Sequence, residues 1–162
     1  MISRNYGSPD TPRIECTNPR HNLWRVRWDF QQDAETGLYS FLEYEFGHKP
    51  DIGEIRDLIF KSINDEVDKA ILQGFQWEGE MVWLSVENQL NYKAAYDLAI
   101  QTEGASLPIT LKFGTDVAPV FRTFATVHDL SEFYLASVRY VQQQVSLGWE
   151  RKSLIDFSPY YC

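Results

Sequence analysis

The chain has 162 residues, of which 44% are hydrophobic and 23% are charged, and its formal net charge is −8. This length is enough for a hydrophobic core without metals or disulfides, and the composition excludes a wholly disordered chain. No stretch approaches the ~20 apolar residues of a membrane-spanning helix, and residues 1–13 lack the apolar segment of a secretory signal. We therefore expect neither a membrane partner nor a signal peptide.

The charge is distributed unevenly along the chain. Residues 1–30 have a net charge of +2, residues 31–104 of −10, and residues 105–162 of zero. Nucleic-acid binding usually depends on clusters of Lys and Arg, so we expect no nucleic-acid partner. The acidic stretch is either a solvated face that maintains solubility or a surface for a basic partner.

The two cysteines, Cys16 and Cys162, lie near the two ends of the sequence and match no metal-ligand spacing. Two thiols of this kind favour a reducing cytoplasm, with an end-to-end disulfide as the alternative.

Residues 1–22 contain three prolines and show neither helical nor strand periodicity. We predict an extended N-terminal arm over 1–22, followed by a single α+β domain over 23–162. Such an arm is either a loose end or lies over a neighbouring subunit. The candidate partner-binding residues are basic and aromatic side chains near the two ends: Arg4, Tyr6, Arg13, Arg20, Tyr160 and Tyr161.

The first predicted hairpin pairs residues 24–30 with residues 42–46, because apolar and polar side chains alternate in both segments. The predicted register places apolar pairs on the inner face and opposite charges on the outer face. The pairs are Trp28 with Leu42, Val26 with Tyr44, Trp24 with Phe46, Arg27 with Glu43, and Arg25 with Glu45.

Two further strand pairs are predicted, and an amphipathic helix follows each of the three pairs. The second pair joins 74–77 to 80–84 through Glu78-Gly79, and the third joins 107–113 to 118–124. The fold class predicted is therefore α+β, with three consecutive ββα units that end near Gln73, Gly104 and Gly148.

The three predicted helices have recognisable start signals. Asp51 is the expected N-cap of the first, Ser85 of the second, and Thr126 with Asp129 forms a capping box for the third. Gly148 is expected to end the third helix, with Trp149 folded back over its last turn. The apolar face predicted for the second helix consists of Val86, Leu90, Ala94 and Leu98.

Side chains that suggest catalysis or metal binding are few. His128 and Glu132 are four residues apart with Asp129 beside them, but no second cluster completes a metal site. Glu43 and Glu45 could form a carboxylate pair for glycoside hydrolysis, although their predicted Arg partners explain them more simply. The sequence also lacks the common hydrolase, metalloprotease and P-loop motifs. We therefore expect no catalytic, cofactor-binding or metal-binding residues.

Aromatic residues are abundant, with 5 Trp, 9 Tyr and 10 Phe. Core packing is the default role of such rings, but there are more than a small core requires. Exposed rings favour protein interfaces and sugar stacking alike. The surplus rings are Tyr92, Tyr96, Tyr134, Tyr140, Tyr160 and Tyr161.

Part of the sequence between residues 71 and 156 resembles an uncharacterised domain of phage tail-associated proteins, including those of Bacteroides-type phages and prophages. The similar segments read ILQGFQWEGEMVWLSVENQLNY, LPITLKFG, FRTFATVHDLSEFY and GWERKSLIDF. They include a hairpin ending at Trp83-Leu84-Ser85, the helix start Glu87-Asn88-Gln89, a Phe-rich strand pair and a helix beginning near Leu130. The resemblance covers about half of the chain, implies a virion or assembly role, and carries over no catalytic residue.

We accordingly expect a non-enzymatic phage or prophage structural or assembly protein that acts through protein contacts. Its expected partners are other protein subunits, in a homo-oligomer or a virion, and its expected location is the virion or the host cytoplasm during assembly. One alternative is a small acidic inhibitor or adaptor that binds a basic host protein. The other is a glycan-binding or glycan-processing protein.

Overall fold

The computed structural model of the chain describes residues 1–161, so the alternative of a disulfide between Cys16 and Cys162 lies outside the described residues. Within residues 1–161, no helix is both long enough and apolar enough to span a bilayer. The strands are β1 (Ser3–Gly7), β2 (Ile14–Asn18), β3 (Leu23–Gln32), β4 (Tyr39–Phe46), β5 (Phe75–Trp77), β6 (Glu80–Val82), β7 (Ile109–Lys112) and β8 (Phe121–Phe124). The helices are α1 (Ile52–Gln73), α2 (Val86–Gln101) and α3 (Val127–Ser153), and a 3-10 turn follows at Ser158–Tyr160.

The fold class is α+β, as predicted, and every strand pair is antiparallel. The strands form a four-stranded sheet of order β1-β4-β3-β2 and two separate two-stranded sheets, β5-β6 and β7-β8. The chain divides into two compact units. Unit 1 comprises residues 1–62 and the C-terminal segment from Leu154, and unit 2 comprises residues 63–153. This division differs from the predicted arm followed by one domain.

The predicted arm contributes two strands to the sheet of unit 1. Strand β1 pairs with β4 and strand β2 pairs with β3, so residues 1–22 supply both edges of the sheet. A two-stranded hairpin leaves main-chain donors and acceptors open along both edges, and the N-terminal segment satisfies them. The strands therefore form by main-chain pairing, which apolar periodicity does not report.

The predicted register of the first hairpin is confirmed at all five residue pairs. Its charged face is only partly the solvated outer face that we expected: the side chains of Arg25 and Glu45 are 41% and 44% exposed, whereas Arg27 and Glu43 are buried. Arg27 is 5% exposed and Glu43 is 9% exposed. The Arg27 guanidinium donates to Glu43 at 2.6 Å, to Glu15 at 2.9 Å and to the Pro12 carbonyl at 2.9 Å. Glu15 on β2 and Pro12 just before it thus help to enclose this ion pair.

The helix starts predicted from capping residues are confirmed. The Ser85 hydroxyl accepts from the Asn88 N–H at 3.2 Å, and the Thr126 hydroxyl accepts from the Asp129 N–H at 3.1 Å. Asp51 accepts from the Glu54 N–H while Glu54 accepts from the Asp51 N–H, both at 2.9 Å, which is a reciprocal capping box.

The core of unit 2 is built around Phe133 on α3. The ring of Phe133 lies 4.7 Å from that of Phe113, 5.1 Å from Phe124 and 4.9 Å from Tyr92, measured between centroids. These rings come from α2, α3 and the β7-β8 hairpin with its flanking residues. Their packing holds α2 and α3 side by side and so positions the surface described next.

Candidate functional site

Helix α2 turns its apolar stripe outward. Val86 is 74% exposed, Leu90 63% and Leu98 48%, and Ala94 is also exposed. We call these four residues the α2 ridge. The sequence predicts that these four residues share one apolar face of the helix, and the structure turns that face to the outside. The buried residues of α2 are instead Asn88, Tyr92, Ala95 and Ala99.

The inner face of α2 can be buried because its polar atoms are hydrogen-bonded and its other side chains are small. The Asn88 amide donates to the Trp83 carbonyl at 2.8 Å, and the Tyr92 hydroxyl donates to the Lys112 carbonyl at 2.6 Å. Burial raises the pKa of the Tyr92 hydroxyl, which keeps it a neutral donor. Ala95 and Ala99 are small and lie within the core of unit 2, and the larger aliphatic side chains of α2 are left on the outside.

A groove runs between α2 and α3 beside the N-terminal half of the ridge. The Tyr96 ring stacks on the Tyr134 ring, with 4.5 Å between the centroids. Val86 and Leu90, which precede Tyr96 in α2, share the groove with Val138 and Val141, which follow Tyr134 in α3. The two helices therefore run antiparallel. The groove encloses about 330 Å³. Its apolar lining consists of Leu84, Val86, Leu90, Tyr134, Val138 and Val141.

Helix α3 carries a second row of apolar side chains, of which Tyr134 and Val141 also pack against the core. Its buried residues include Leu130 and Phe133, and the second row consists of Tyr134, Val138, Val141 and Val145. Spacings of four, three and four residues in this row match the seam of a coiled coil, which packs against another helix. Val145 is 41% exposed and lines a separate pocket with Val67 of α1, and Leu135 is 43% exposed.

The groove carries almost no net charge. Among the described residues, Lys93 is the one charged residue that lines it, and its ammonium forms an ion pair with Asp97 one turn later. Hydrogen bonding to Asp97 and its negative charge raise the pKa of Lys93. The remaining polar lining residues are uncharged: Gln89, Ser137 and Gln142. An apolar groove with a neutral polar rim is suited to a protein segment rather than to a charged small molecule.

Exposed apolar side chains are concentrated in unit 2. Of the 18 large hydrophobic residues that are exposed within residues 1–161, 13 belong to residues 63–153. Single exposed hydrophobic residues are normal on a protein surface, but a contiguous group marks an interaction site. The ridge and the groove of α2 form such a group, and unit 2 therefore carries the best candidate site.

The six predicted partner-binding residues all lie in unit 1. Arg4 forms an ion pair with Asp29, and the Arg13 guanidinium lies 3.3 Å from the centroid of the Phe30 ring, so both are engaged within the unit. Arg20, Tyr6 and Tyr161 are exposed. A role of these three residues in partner binding stays a prediction.

Tyr160 is a core residue and not a surface contact. It is 7% exposed, and its hydroxyl donates to the Arg27 carbonyl at 2.8 Å. Burial raises the pKa of Tyr160 to about 12. Of the other surplus rings, Tyr92 is buried, Tyr96, Tyr134 and Tyr140 are half-buried, and Tyr161 is 66% exposed.

Within residues 1–161, no group of three or more His, Cys, Asp or Glu side chains could hold a metal ion. His128 and Glu132 approach to 3.6 Å on the exposed face of α3, but within the described residues no third ligand joins them. Glu43 is held by Arg27 and by the Asn5 amide at 3.0 Å, so its carboxylate is committed to unit 1. These contacts give the carboxylate pair of Glu43 and Glu45 a structural explanation.

No family model, curated protein or solved structure matches the chain.

One sequence signal could have identified the correct inner face of α2. Asn88, Tyr92, Ala95 and Ala99 recur at spacings of four, three and four residues, which is the spacing of a packed helix seam. The row is inconspicuous because two of its members are alanine and one is asparagine. The more hydrophobic row at 86, 90, 94 and 98 was the natural choice for burial.

Proposed function

We propose that this protein is a non-enzymatic structural or assembly protein that acts through protein contacts, and that the α2 ridge with the α2–α3 groove is its contact surface. In this proposal the strand pairs and helices act as three ββα units, and the second and third units supply the surface. The single observation that carries the proposal is the outward orientation of the apolar side of α2.

Leaving this apolar surface in water has a free-energy cost. Burying apolar area contributes roughly 25 cal/mol per Å², so a fully buried Val or Leu side chain contributes about 1.5–3 kcal/mol. Val86 and Leu90 leave most of that contribution unused in the isolated chain, being 74% and 63% exposed. A protein partner that covers them would gain it, which favours association over solvation.

In this proposal the protein is a component of a phage or prophage particle, or a factor in the assembly of that particle. The support for this setting is the resemblance of the region between residues 71 and 156 to a phage tail-associated domain. Val86 and Leu90 of the ridge, and Tyr134 of the groove, lie within the similar segments. Mass spectrometry of purified particles tests the setting, since a component should be present at a fixed copy number and an assembly factor only in precursors.

The contact itself can be tested by photo-crosslinking in the cells that naturally make the protein. Leu90 is replaced with the photoreactive residue p-benzoylphenylalanine in the full chain. The matched control carries the same residue in place of Leu38, which is 57% exposed and lies in unit 1. We expect ultraviolet-dependent protein adducts from position 90 and none from position 38. Equal adduct yields, or none from position 90, would overturn the proposal.

A further inference from the structure

The geometry points to a second copy of this chain as the partner of the α2 ridge: we infer that two chains associate about a two-fold axis, with their α2 helices antiparallel. This inference rests on the proposed function, because it names the partner of the same surface. Three properties of the surface carry it: the spacing of the ridge, the position of the groove and the exposed area.

The ridge is complementary to itself. Its four residues are spaced by four, and rows of this spacing on two helices interdigitate at a crossing angle near −50°. A two-fold axis that passes beside the middle of the ridge sets Leu90 of each chain opposite Ala94 of the other. The same axis sets Val86 opposite Leu98. Each pair joins a larger side chain to a smaller one or two of similar size, so the helices can approach closely without a void.

The groove receives the end of the partner's ridge. Val86 and Leu90 line the groove on the α2 side, and Val138 and Val141 line it on the α3 side. In the antiparallel arrangement, Leu98 of the second copy lies over Val86 and hence at this groove. A branched aliphatic side chain matches the apolar lining, and the two-fold axis fills both grooves in the same way.

The exposed area agrees with what a dimer requires. A typical interface buries about 800 Å² per partner, of which roughly 60% is apolar. The ridge and the groove walls together expose on the order of 350 Å² of mostly apolar surface, judged from side-chain areas of ~100 Å² for aliphatic residues, which matches a small interface of about 600 Å² per partner. The surface is thus large enough for a dimer, although not for a much more extensive interface.

Charged groups limit the affinity but do not prevent the contact. The two-fold axis brings Glu87 of one chain towards Asp97 of the other, and both residues are acidic. The ion pair between Lys93 and Asp97 within each chain offsets part of this repulsion and leaves the rest. We therefore expect a dimer of moderate affinity that neutralising Glu87 strengthens.

The mass of the full chain in solution tests the inference. Light scattering is measured between 1 and 200 μM (on the order of the range in which moderate interfaces form) for the native chain, Leu90→Asp and the control Leu38→Asp. We expect a monomer–dimer equilibrium for the native chain and for Leu38→Asp, and a dissociation constant at least 100-fold higher for Leu90→Asp. Glu87→Gln should lower the dissociation constant a few-fold. A native chain that stays monomeric, or a dimer that Leu90→Asp leaves intact, overturns the inference.

Disulfide trapping tests the register independently of any loss of folding. On a background with Cys16→Ser and Cys162→Ser, a tagged Leu90→Cys chain is mixed with an untagged Ala94→Cys chain and oxidised. We expect this mixture to give more mixed disulfide than a mixture of Leu90→Cys with Leu98→Cys. Equal yields from the two mixtures overturn the antiparallel register.

The failure of this inference can be distinguished from the failure of the proposed function. Photo-crosslinks from position 90 to a different protein, with a monomeric chain in solution, would retain the proposed function and reject the second copy. Crosslinks between two copies would support both. The absence of crosslinks from position 90 would reject the contact surface itself.

Discussion

Gly148 of α3 lies directly against Val67 of α1, both within unit 2. A Cβ atom at position 148 would stand 2.7 Å from the Val67 Cγ2 atom, closer than side chains approach in folded proteins. Gly148 is buried inside α3, which continues to Ser153, so the prediction that it ends the helix is wrong. Trp149 is therefore helical and 64% exposed, and does not fold back over the last turn. The glycine serves close helix packing.

Gly148→Ala is expected to lower the free energy of unfolding by about 1–3 kcal/mol, because overpacking outweighs the higher helix propensity of Ala. The measurement is urea denaturation followed by circular dichroism. Gly47→Ala is the control, since a Cβ at position 47 meets nothing within 4 Å. Equal stability of the two variants would contradict the packing role of Gly148.

Arg27→Ala should destabilise the protein by about 3–5 kcal/mol, because it leaves the Glu43 carboxylate buried without its main partner. Arg25→Ala is the matched control on the same strand. Its side chain is 41% exposed and pairs with Glu45, so the expected loss is about 1 kcal/mol or less. Chemical denaturation of both variants provides the comparison. A loss at position 27 as small as that at position 25 would show that burial does not determine the strength of this ion pair.

The capping box of α1 should make the start of that helix sensitive to acid. Hydrogen bonds from the Asp51 N–H and from His48 lower the pKa of Glu54 below its usual value of 4.5. A carboxyl group with a lowered pKa stabilises the fold fully above its unfolded pKa. That stabilisation is lost as the pH falls through the lower folded value. Amide NMR shifts of residues near Glu54 should report this transition below pH 4.5, and they should not report it in Glu54→Gln.

Substitutions on opposite sides of α2 should change the stability by very different amounts. At chain concentrations too low for association, Leu90→Gln should change the free energy of unfolding by no more than about 0.5 kcal/mol, as an exposed substitution does. Tyr92→Ala should cost about 3–5 kcal/mol because it removes a buried aromatic ring. Thermal and urea denaturation measure the stability of both variants. The chain concentration is sub-micromolar, about one tenth of the lowest concentration at which we expect association. A larger loss from Leu90→Gln than from Tyr92→Ala would contradict the orientation of the helix.

Most local features could be predicted from the sequence because each depends on residues that are close together in the chain. The turn between β5 and β6 uses Glu78 and Gly79, both of which have positive φ angles of 48° and 87°. The N-cap at Ser85 needs only the N–H of Asn88 three residues later. The register of β3 with β4 required a longer connection, but the alternation of apolar and charged side chains specified it on both faces.

The sequence by itself determined the α+β class, the helix starts and the pairing of the first hairpin, since these follow from local hydrogen bonds and side-chain periodicity. Only the tertiary structure decided three other features: the pairing of β1 and β2 with the sheet edges, the burial of Arg27 with Glu43, and the outward orientation of the α2 ridge. Each depends on which distant segment covers a surface. Periodicity identifies an apolar stripe, but the inner face of a helix is chosen by the fit of its neighbours. In α2, Ala95 and Ala99 fit closely and the larger side chains remain outside.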